Sequence, residues 1–259
     1  MKAKYMKIRG VLIDLDGVMY NNVDIISGAV ETIKWLRDQD IPFLFVTNTT
    51  RMNTAAIARH MNGLGIRSVP DEIISPPGAA AAYMKQHQFT SYHLLAHQEL
   101  NIAFKDLEET DDSPNVVIVG DLGDILTFDR IDFAFRLLMA GADLLALHKD
   151  RFWQTEQGLR MDTGAMVTAL EYASGKTATV VGKPERPFFD MAIKTLGLPS
   201  NQVVMIGDSI ETDIGGAQRA GIEGILVRTG NYQFLSESES DVIPDHVIDS
   251  IADLPVLFS

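Results

Sequence analysis

The sequence predicts an α/β fold, in which a doubly wound parallel sheet forms a core and a smaller α/β domain is inserted into it. Short apolar runs alternate with helical patterns along the chain, as expected for strands joined by crossover helices. Several of the runs end in acidic or polar residues, and the carboxyl edge of a parallel sheet is where such folds bind ligands. The alternation starts afresh in the middle of the chain, which indicates the inserted domain.

Composition narrows the classes of function. The 259 residues can bury a full core, and 22 basic against 35 acidic residues give a net charge of -13. This charge argues against nucleic acid or an anionic membrane as a partner. The chain has no cysteine, no apolar run of membrane-spanning length and no signal-peptide pattern, so we expect a cytoplasmic protein without disulfides.

The first part of the chain shows a strand, polar loop and helix pattern twice. One apolar run leads into Asp14 and Asp16, and the next leads into Thr47 and Asn48. Apolar residues at helical spacing follow each run, and Ser27 is the expected N-cap of the first helix. The expected strands are at 11–13, 43–46 and 72–75. The expected helices are one that Ser27 caps and that ends before Pro42, one that ends at Gly65, and one at 77–87.

The inserted domain is predicted at residues 81–176, between core segments 1–80 and 177–259. The polar tract 86–88 marks its start, and a helix that ends at Gly175 marks its end. Its expected elements are strands at 92–96, 115–119 and 143–147, helices at 98–106, 128–139 and 163–173, and a solvated acidic loop at 108–112.

The core pattern resumes near the end of the chain. One apolar run leads into Lys183, and another leads into Asp208, with Asp213 in the first turns of the helix that follows. Four strand ends therefore carry distinctive side chains, and in a parallel sheet they converge on one edge. The expected elements are strands at 178–181, 203–206, 224–227 and 246–248, and a helix from Pro187 to Gly197.

This convergence predicts a site for phosphoryl transfer. Clustered carboxylates repel one another and raise one another's pKa unless a cation lies among them, and oxygen ligands suit Mg²⁺. With the cation bound, Asp14 can stay ionised and act as a nucleophile. Lys183, together with the hydroxyl of Thr47 and the amide of Asn48, supplies the donors that a transferring phosphoryl group requires.

The chain resembles the haloacid dehalogenase superfamily of aspartate-nucleophile phosphatases. The similarity also runs through stretches 148–151, 168–173 and 215–218, which look like the subfamily IIA with a large C2-type cap. That subfamily includes the NagD-like phosphatases and the phospholysine phosphohistidine inorganic pyrophosphate phosphatase-like proteins. The four motifs that carry the resemblance are, in order, Asp14-Leu15-Asp16-Gly17, Val46-Thr47-Asn48, Gly182-Lys183-Pro184, and Gly207-Asp208-Ser209 with Asp213.

The resemblance implies a role for each motif residue. Asp14 is the nucleophile, and Asp16 is the acid that protonates the leaving group and the base that then activates water. Asp14 and Asp208 bind Mg²⁺ through their side chains and Asp16 through its backbone carbonyl, while Asp213 acts on the metal indirectly or through water. Because dehalogenases lack an acid at the position of Asp16, this residue favours phosphoryl transfer over carbon–halogen cleavage. The phosphoryl oxygens are held by Thr47, Asn48 and Lys183.

Alternatives stay open at five residues. Asp213 can instead be a helix-dipole partner, and Ser209 a helix cap. Asp121 imitates Asp208 after a strand of the inserted domain, and we expect it to line the substrate entrance or to form a turn. Arg151 and Trp153 follow another strand of that domain and suit contact with an anionic substrate, or else a contact between cap and core.

We therefore expect a Mg²⁺-dependent phosphatase that acts on a small phosphorylated substrate. A phosphotransferase or mutase on the same fold is one alternative, and a phospho-aspartate signalling module is another. Signalling receivers are about half this length and have no separate cap, and Asp16 has no task in a long-lived phosphoryl switch. The resemblance also implies a homo-oligomer that forms through the cap.

Overall fold

The computed structural model describes residues 8–21, 23–155, 158–230 and 240–258. They form two compact units. The core unit consists of the described residues of Met1–Thr47, Thr54–Ile74 and Lys183–Ser259, and the inserted unit consists of those of Asn48–Asn53 and Ser75–Gly182. The chain passes between the units four times, and the first and last passages, between Thr47 and Asn48 and between Gly182 and Lys183, lie inside the second and third motifs.

The elements are numbered in chain order. The described strands are β1 (Gly10–Asp14), β2 (Tyr20–Asn21), β3 (Asp24–Ile25), β4 (Phe43–Val46), β5 (Ile73–Ile74), β6 (Ser91–Leu95), β7 (Glu108–Glu109), β8 (Val116–Val119), β9 (Asp143–Ala146), β10 (Phe152–Thr155), β11 (Gly158–Met161), β12 (Thr179–Val180), β13 (Val203–Gly207), β14 (Glu223–Val227) and β15 (His246–Ile248). The described α-helices are α1 (Ala29–Asp38), α2 (Thr54–Gly63), α3 (Pro76–Gln86), α4 (Phe128–Met139), α5 (Thr163–Ser174), α6 (Arg186–Leu196), α7 (Gly216–Arg219) and α8 (Leu254–Leu257).

The core unit contains a six-stranded sheet with the order β15-β14-β13-β1-β4-β5, and every neighbouring pair is parallel. The chain adds β4 and β5 on one side of β1 and later adds β13, β14 and β15 on the other, so the sheet is doubly wound. The direction of winding reverses between β1 and β13, which is where open α/β sheets bind ligands. The predicted fold class is confirmed.

Burial explains why the central strands are apolar throughout. β1, β4 and β13 are buried along their whole length, because parallel strands of this kind are covered on both faces. The helices are amphipathic instead: α6 buries Phe188, Phe189 and Ala192 and exposes Arg186, Asp190 and Lys194. Gly197 ends this helix in the left-handed conformation, as predicted.

The inserted unit contains a parallel sheet of its own, with the order β12-β9-β8-β6-β7, and an antiparallel hairpin of β10 and β11. The apolar faces of α4 and α5 pack with β8 and β9 in one buried cluster. Thr127 caps α4 and Asp162 caps α5 at their N-termini. Gly175, with φ 70°, ends α5 as predicted.

The prediction that the run 178–181 returns the chain to the core sheet is wrong. The strand β12 covers two residues of this run and pairs in parallel with β9 of the inserted sheet. A short apolar run indicates a strand but does not indicate which of two sheets the strand joins. Lys183 therefore follows a strand of the inserted unit, although the residue itself belongs to the core unit.

Smaller predictions also differ from the structure. Gly28, not Ser27, occupies the N-cap position of α1, with φ 84° and no capping side chain. The acidic stretch 108–112 contains the exposed edge strand β7, and the helix predicted at 98–106 is a 3-10 helix at Gln98–Phe104. The hairpin of β10 and β11 was not predicted. None of the described helices has both the length and the apolar character that crossing a membrane requires.

Candidate active site

The candidate site begins where β1 ends. Residues 11–13 are fully buried and Asp14 is 8% exposed, so the carboxyl group lies at the boundary between the protein interior and solvent. The register aligns the ends of β1, β4 and β13. Asp14, Thr47 and Asp208 therefore emerge at one edge of the core sheet, which is the convergence that their positions predict.

Lys183 joins the first and last motifs. Its ammonium nitrogen Nζ lies 2.6 Å from Asp14 Oδ1 and 2.7 Å from Asp213 Oδ1, and all three residues are buried. Asp213 Oδ2 accepts a hydrogen bond from the backbone N–H of Ser209 at 3.1 Å. Both carboxylate oxygens of Asp213 are thus engaged, so this residue orients the lysine rather than simply balancing a helix dipole.

Asp208 completes a cluster with Asp14 and Asp213. One carboxylate oxygen from each lies within 4.8 Å of the others. Three carboxylates face one ammonium group, which leaves two formal negative charges in excess if all of them are ionised. Burial raises the pKa of Asp14 well above its usual value, and repulsion from Asp213 and Asp208 adds to this, against the opposing effect of Lys183.

The ammonium group of Lys183 stays protonated in this environment. Burial by itself lowers the pKa of its ammonium group, but Asp14 and Asp213 outweigh burial and raise that pKa above its usual value. The lysine therefore stays charged while the carboxylates remain under-compensated. A divalent cation fits this donor set, because the cluster offers only oxygen ligands and one ammonium group does not balance its three carboxylates.

Asp16 differs from Asp14 in its environment. It lies in the turn after β1, where its backbone forms an isolated β-bridge with Tyr20, and it is exposed at the surface of the core unit. The protein around its carboxyl group nevertheless raises its pKa through desolvation, while Lys183 and His60 act in the opposite direction. A solvent-accessible carboxyl group with a raised pKa is suited to proton transfer.

Ser209 caps a helix, which is the alternative role that the sequence predicts for it. Its hydroxyl accepts a hydrogen bond from the N–H of Thr212 at the start of the π-helical turn Ile210–Gly215. This turn places Asp213 beside Lys183 in the buried cluster.

The second motif lies in the loop after β4, and its residues belong to different units. Thr47 is buried in the core unit and its backbone N–H donates to Ile74 O at 3.1 Å. Asn48 belongs to the inserted unit, where its Nδ2 donates to Asp150 Oδ2 at 3.3 Å. Two further residues of the loop also bind within that unit: Thr50 Oγ1 lies 3.4 Å from His148 Nε2, and Arg51 forms an ion pair with Asp121.

His148 forms a second polar cluster that sequence reasoning missed. The residue is 4% exposed, its Nδ1 lies 3.3 Å from Asp150 Oδ2, and its Nε2 lies 3.7 Å from Asp162 Oδ1. Burial lowers the pKa of the imidazole, but Asp150, Asp162 and Asp121 outweigh burial and raise it. The available signal was the position of His148 directly after an apolar strand, the same signal that identifies Asp14.

The remaining predicted residues of the inserted unit have simpler environments. Asp121 accepts from the N–H of Gly123 at 2.7 Å in addition to binding Arg51, so it makes a turn. Arg151 is exposed, and its guanidinium carbon lies 5.9 Å from the centre of the Phe152 ring. Trp153 lies on β10, and its side chain is outside the described part of the structure.

Comparison with protein families gives two matches. A model described as haloacid dehalogenase-like hydrolase matches residues 11–110, and one described as HAD-hydrolase-like matches residues 180–254.

Curated relatives cover nearly the whole chain. Haloacid dehalogenase-like hydrolase domain-containing protein 2 of Bos taurus is 38% identical over 92% of this chain and 90% of its own length. Phospholysine phosphohistidine inorganic pyrophosphate phosphatase of Homo sapiens is 34% identical over 95% of this chain and 92% of its own.

Solved structures show the same fold. A double mutant of a thermostable NPPase from Geobacillus stearothermophilus has a TM-score of 0.87 at 33% identity and covers 95% of this chain and 98% of its own. The 4-nitrophenylphosphatase of Thermotoga maritima has a TM-score of 0.92 at 25% identity and covers 99% of both chains.

Proposed function

Because the chain belongs to the haloacid dehalogenase-like hydrolases, we propose that it is a Mg²⁺-dependent phosphatase that hydrolyses a small phosphorylated substrate through an aspartyl-phosphate intermediate. Phosphatase is the activity that several of its relatives and structural neighbours carry in their names. The single observation that supports the finer proposal is the buried lysine that binds Asp14 and Asp213 beside Asp208.

Asp14 is the proposed nucleophile. Lys183 donates a hydrogen bond to Oδ1 of Asp14. In this proposal the other carboxylate oxygen, Oδ2, attacks phosphorus. In this step the new bond joins Oδ2 to phosphorus, and the bond between phosphorus and the leaving oxygen breaks. Asp16 donates its proton to that oxygen, which its raised pKa and its solvent access favour.

Asp16 then acts in the opposite sense. Its carboxylate takes a proton from water, and the water oxygen attacks the phosphorus of the aspartyl phosphate. The bond between Asp14 and phosphorus breaks, which releases inorganic phosphate and restores the Asp14 carboxylate. Asp16 ends the cycle protonated and ready for the next substrate.

The carboxylates of Asp14 and Asp208 and the backbone carbonyl of Asp16 would hold Mg²⁺. When bound, the ion supplies positive charge that keeps Asp14 ionised and offsets the charge of the transferring phosphoryl group. Asp213 orients Lys183, and Lys183 binds a phosphoryl oxygen together with Thr47 and Asn48. The inserted unit selects the substrate in this proposal, with Arg151 and Trp153 as candidate contacts.

The proposal is tested with p-nitrophenyl phosphate and Mg²⁺. We expect Asp14→Asn to lower turnover on the order of a thousand-fold or more and to abolish the acid-stable mass increase of one phosphoryl group. Asp190→Asn is the matched control, since Asp190 is an exposed carboxylate whose partner is Arg186 one helical turn away. Turnover by Asp14→Asn at the level of this control would contradict the mechanism.

A further inference from the structure

A hydroxyl group from the far end of the chain binds the turn that carries Asp16. Thr229 follows β14, and its Oγ1 donates to the backbone carbonyl of Gly17 at 2.5 Å. The two residues are 212 positions apart in the sequence and belong to the same core unit. The mechanism above assigns no task to this contact.

The hydrogen bond completes the restraint on the backbone around Gly17. The N–H of the peptide between Asp16 and Gly17 donates to Tyr20 O at 2.8 Å. The carbonyl of Asp16 belongs to the same planar trans peptide and therefore points away from Tyr20 O. Thr229 holds the next carbonyl, so both peptide groups that flank Gly17 are bound.

Gly230 extends this contact to Asp208. Gly17 and Gly230 both have positive φ angles, of 81° and 65°, which glycine adopts at little cost. A side chain on either glycine would collide with the carboxylate of Asp208 and with the backbone of the other glycine. The segment 229–230 therefore packs on the turn and on the carboxylate that face the proposed Mg²⁺ site.

We infer that Thr229 is a positioning residue that sets the affinity for Mg²⁺ by holding the Asp16–Gly17 turn against Asp208. The inference rests on the proposed function for its cation, but it concerns binding rather than turnover. Loss of the hydroxyl frees the Gly17 carbonyl, so the Asp16 carbonyl and the Asp208 carboxylate no longer share one fixed arrangement. The protein must then order them when the ion binds, which weakens binding.

The test compares Thr229→Val, which removes the hydroxyl and keeps the shape, with Thr229→Ser, which keeps the hydroxyl. Thr32→Val is the matched control, because the Thr32 hydroxyl is buried in the same unit and donates to Ile251 O at 3.1 Å across 219 positions. Titration of each protein with MgCl₂ alone, by calorimetry and by thermal shift, measures the affinity without substrate.

We expect Thr229→Val to bind Mg²⁺ about ten-fold more weakly than the wild type, a loss that one hydrogen bond can account for. Thr229→Ser should stay within about two-fold of the wild type on the same scale, and so should Thr32→Val despite its loss of a comparable bond. With p-nitrophenyl phosphate, kcat of Thr229→Val should fall at Mg²⁺ concentrations that just saturate the wild type and should recover when more Mg²⁺ is added, while KM for the substrate should change little.

Several results overturn the inference. One is a Thr229→Val protein that binds Mg²⁺ as tightly as the wild type. Another is a loss of Mg²⁺ affinity in Thr229→Ser or in Thr32→Val that equals the loss in Thr229→Val. A wild-type protein that binds no Mg²⁺ also overturns it. Failure of the proposed function looks different: Mg²⁺ affinity falls in Thr229→Val as expected, but the wild type releases no phosphate.

Discussion

Among the residues that the structure describes, two polar clusters meet the same geometric requirement for binding a metal ion, one in each unit. In the core unit the cluster is Asp14, Asp208 and Asp213, and in the inserted unit it is His148, Asp150 and Asp162. In both, one donor atom from each residue lies within 4.8 Å of the others. Their chemistry differs in burial and in the source of positive charge.

The core cluster cannot balance its own charge. Its three carboxylates are buried, and Lys183 neutralises one of them, so repulsion and burial raise the pKa of Asp14. The cluster of the inserted unit has one buried residue, His148, which gains its positive charge by taking up a proton, while the side chain of Asp150 is 37% exposed. The comparison teaches that close donor atoms do not by themselves define a metal site: the core cluster has an excess of negative charge that a cation would offset, whereas the inserted cluster can take up a proton at His148.

Removal of the core lysine should have the largest effect on stability. Lys183→Met leaves two buried carboxylates without their partner, and we expect a loss of about 3–5 kcal/mol in the free energy of unfolding. Lys149→Met in the inserted unit removes a partly exposed pair with Glu171 and should cost less than about 1 kcal/mol. Urea unfolding measures both, and equal losses would show that the buried pairs of Lys183 contribute no more than the partly exposed pair of Lys149.

Mg²⁺ should stabilise the protein through the core cluster alone. At a concentration 100 times the dissociation constant, the expected gain is about 2.7 kcal/mol. Asp208→Asn should abolish the increase in Tm that MgCl₂ produces, because it removes a carboxylate ligand. Asp162→Asn should retain the increase, and its amide oxygen can still cap α5. A normal increase in Asp208→Asn would locate the ion elsewhere.

The inserted cluster should respond to pH instead, with the smallest of these effects. The folded-state pKa of His148 is raised, so its contribution to stability is complete below the unfolded pKa of about 6.5 and is lost as the pH rises through the folded-state value. His148→Gln should flatten the fall in Tm over this range without Mg²⁺. His97→Gln is the control, since His97 forms no such pair with the residues that the structure describes, and it should leave the fall in place. A fall of the same size in His148→Gln would show that other groups cause it.

Much of the candidate site was predictable because it consists of short strand ends. Asp14, Thr47 and Asp208 each follow an apolar run, and in a parallel sheet such residues must emerge at one edge. Lys183 was also predicted as a member of the site, but the prediction wrongly assigned the strand before it to the core sheet. It follows a strand of the inserted sheet, yet its ammonium group reaches Asp14 and Asp213 in the core unit.

Other features depend on long-range contacts that leave no local pattern. The bond between Thr229 and Gly17 joins positions 212 residues apart, and the pair of Arg51 and Asp121 joins two loops of the inserted unit. No periodicity or turn signal marks a residue for such a contact. The roles of Arg151 and Trp153 stay predictions for the same reason.

The sequence by itself determined the fold class, the order of the motifs and the residue types of the core site, because apolar periodicity and strand-end chemistry are local properties. Only the tertiary structure decided which sheet the strand before Lys183 joins, and which side chains balance each buried charge. Sheet pairing and charge compensation depend on distance in space, and the same short apolar run or the same aspartate is compatible with several partners until the chain has folded.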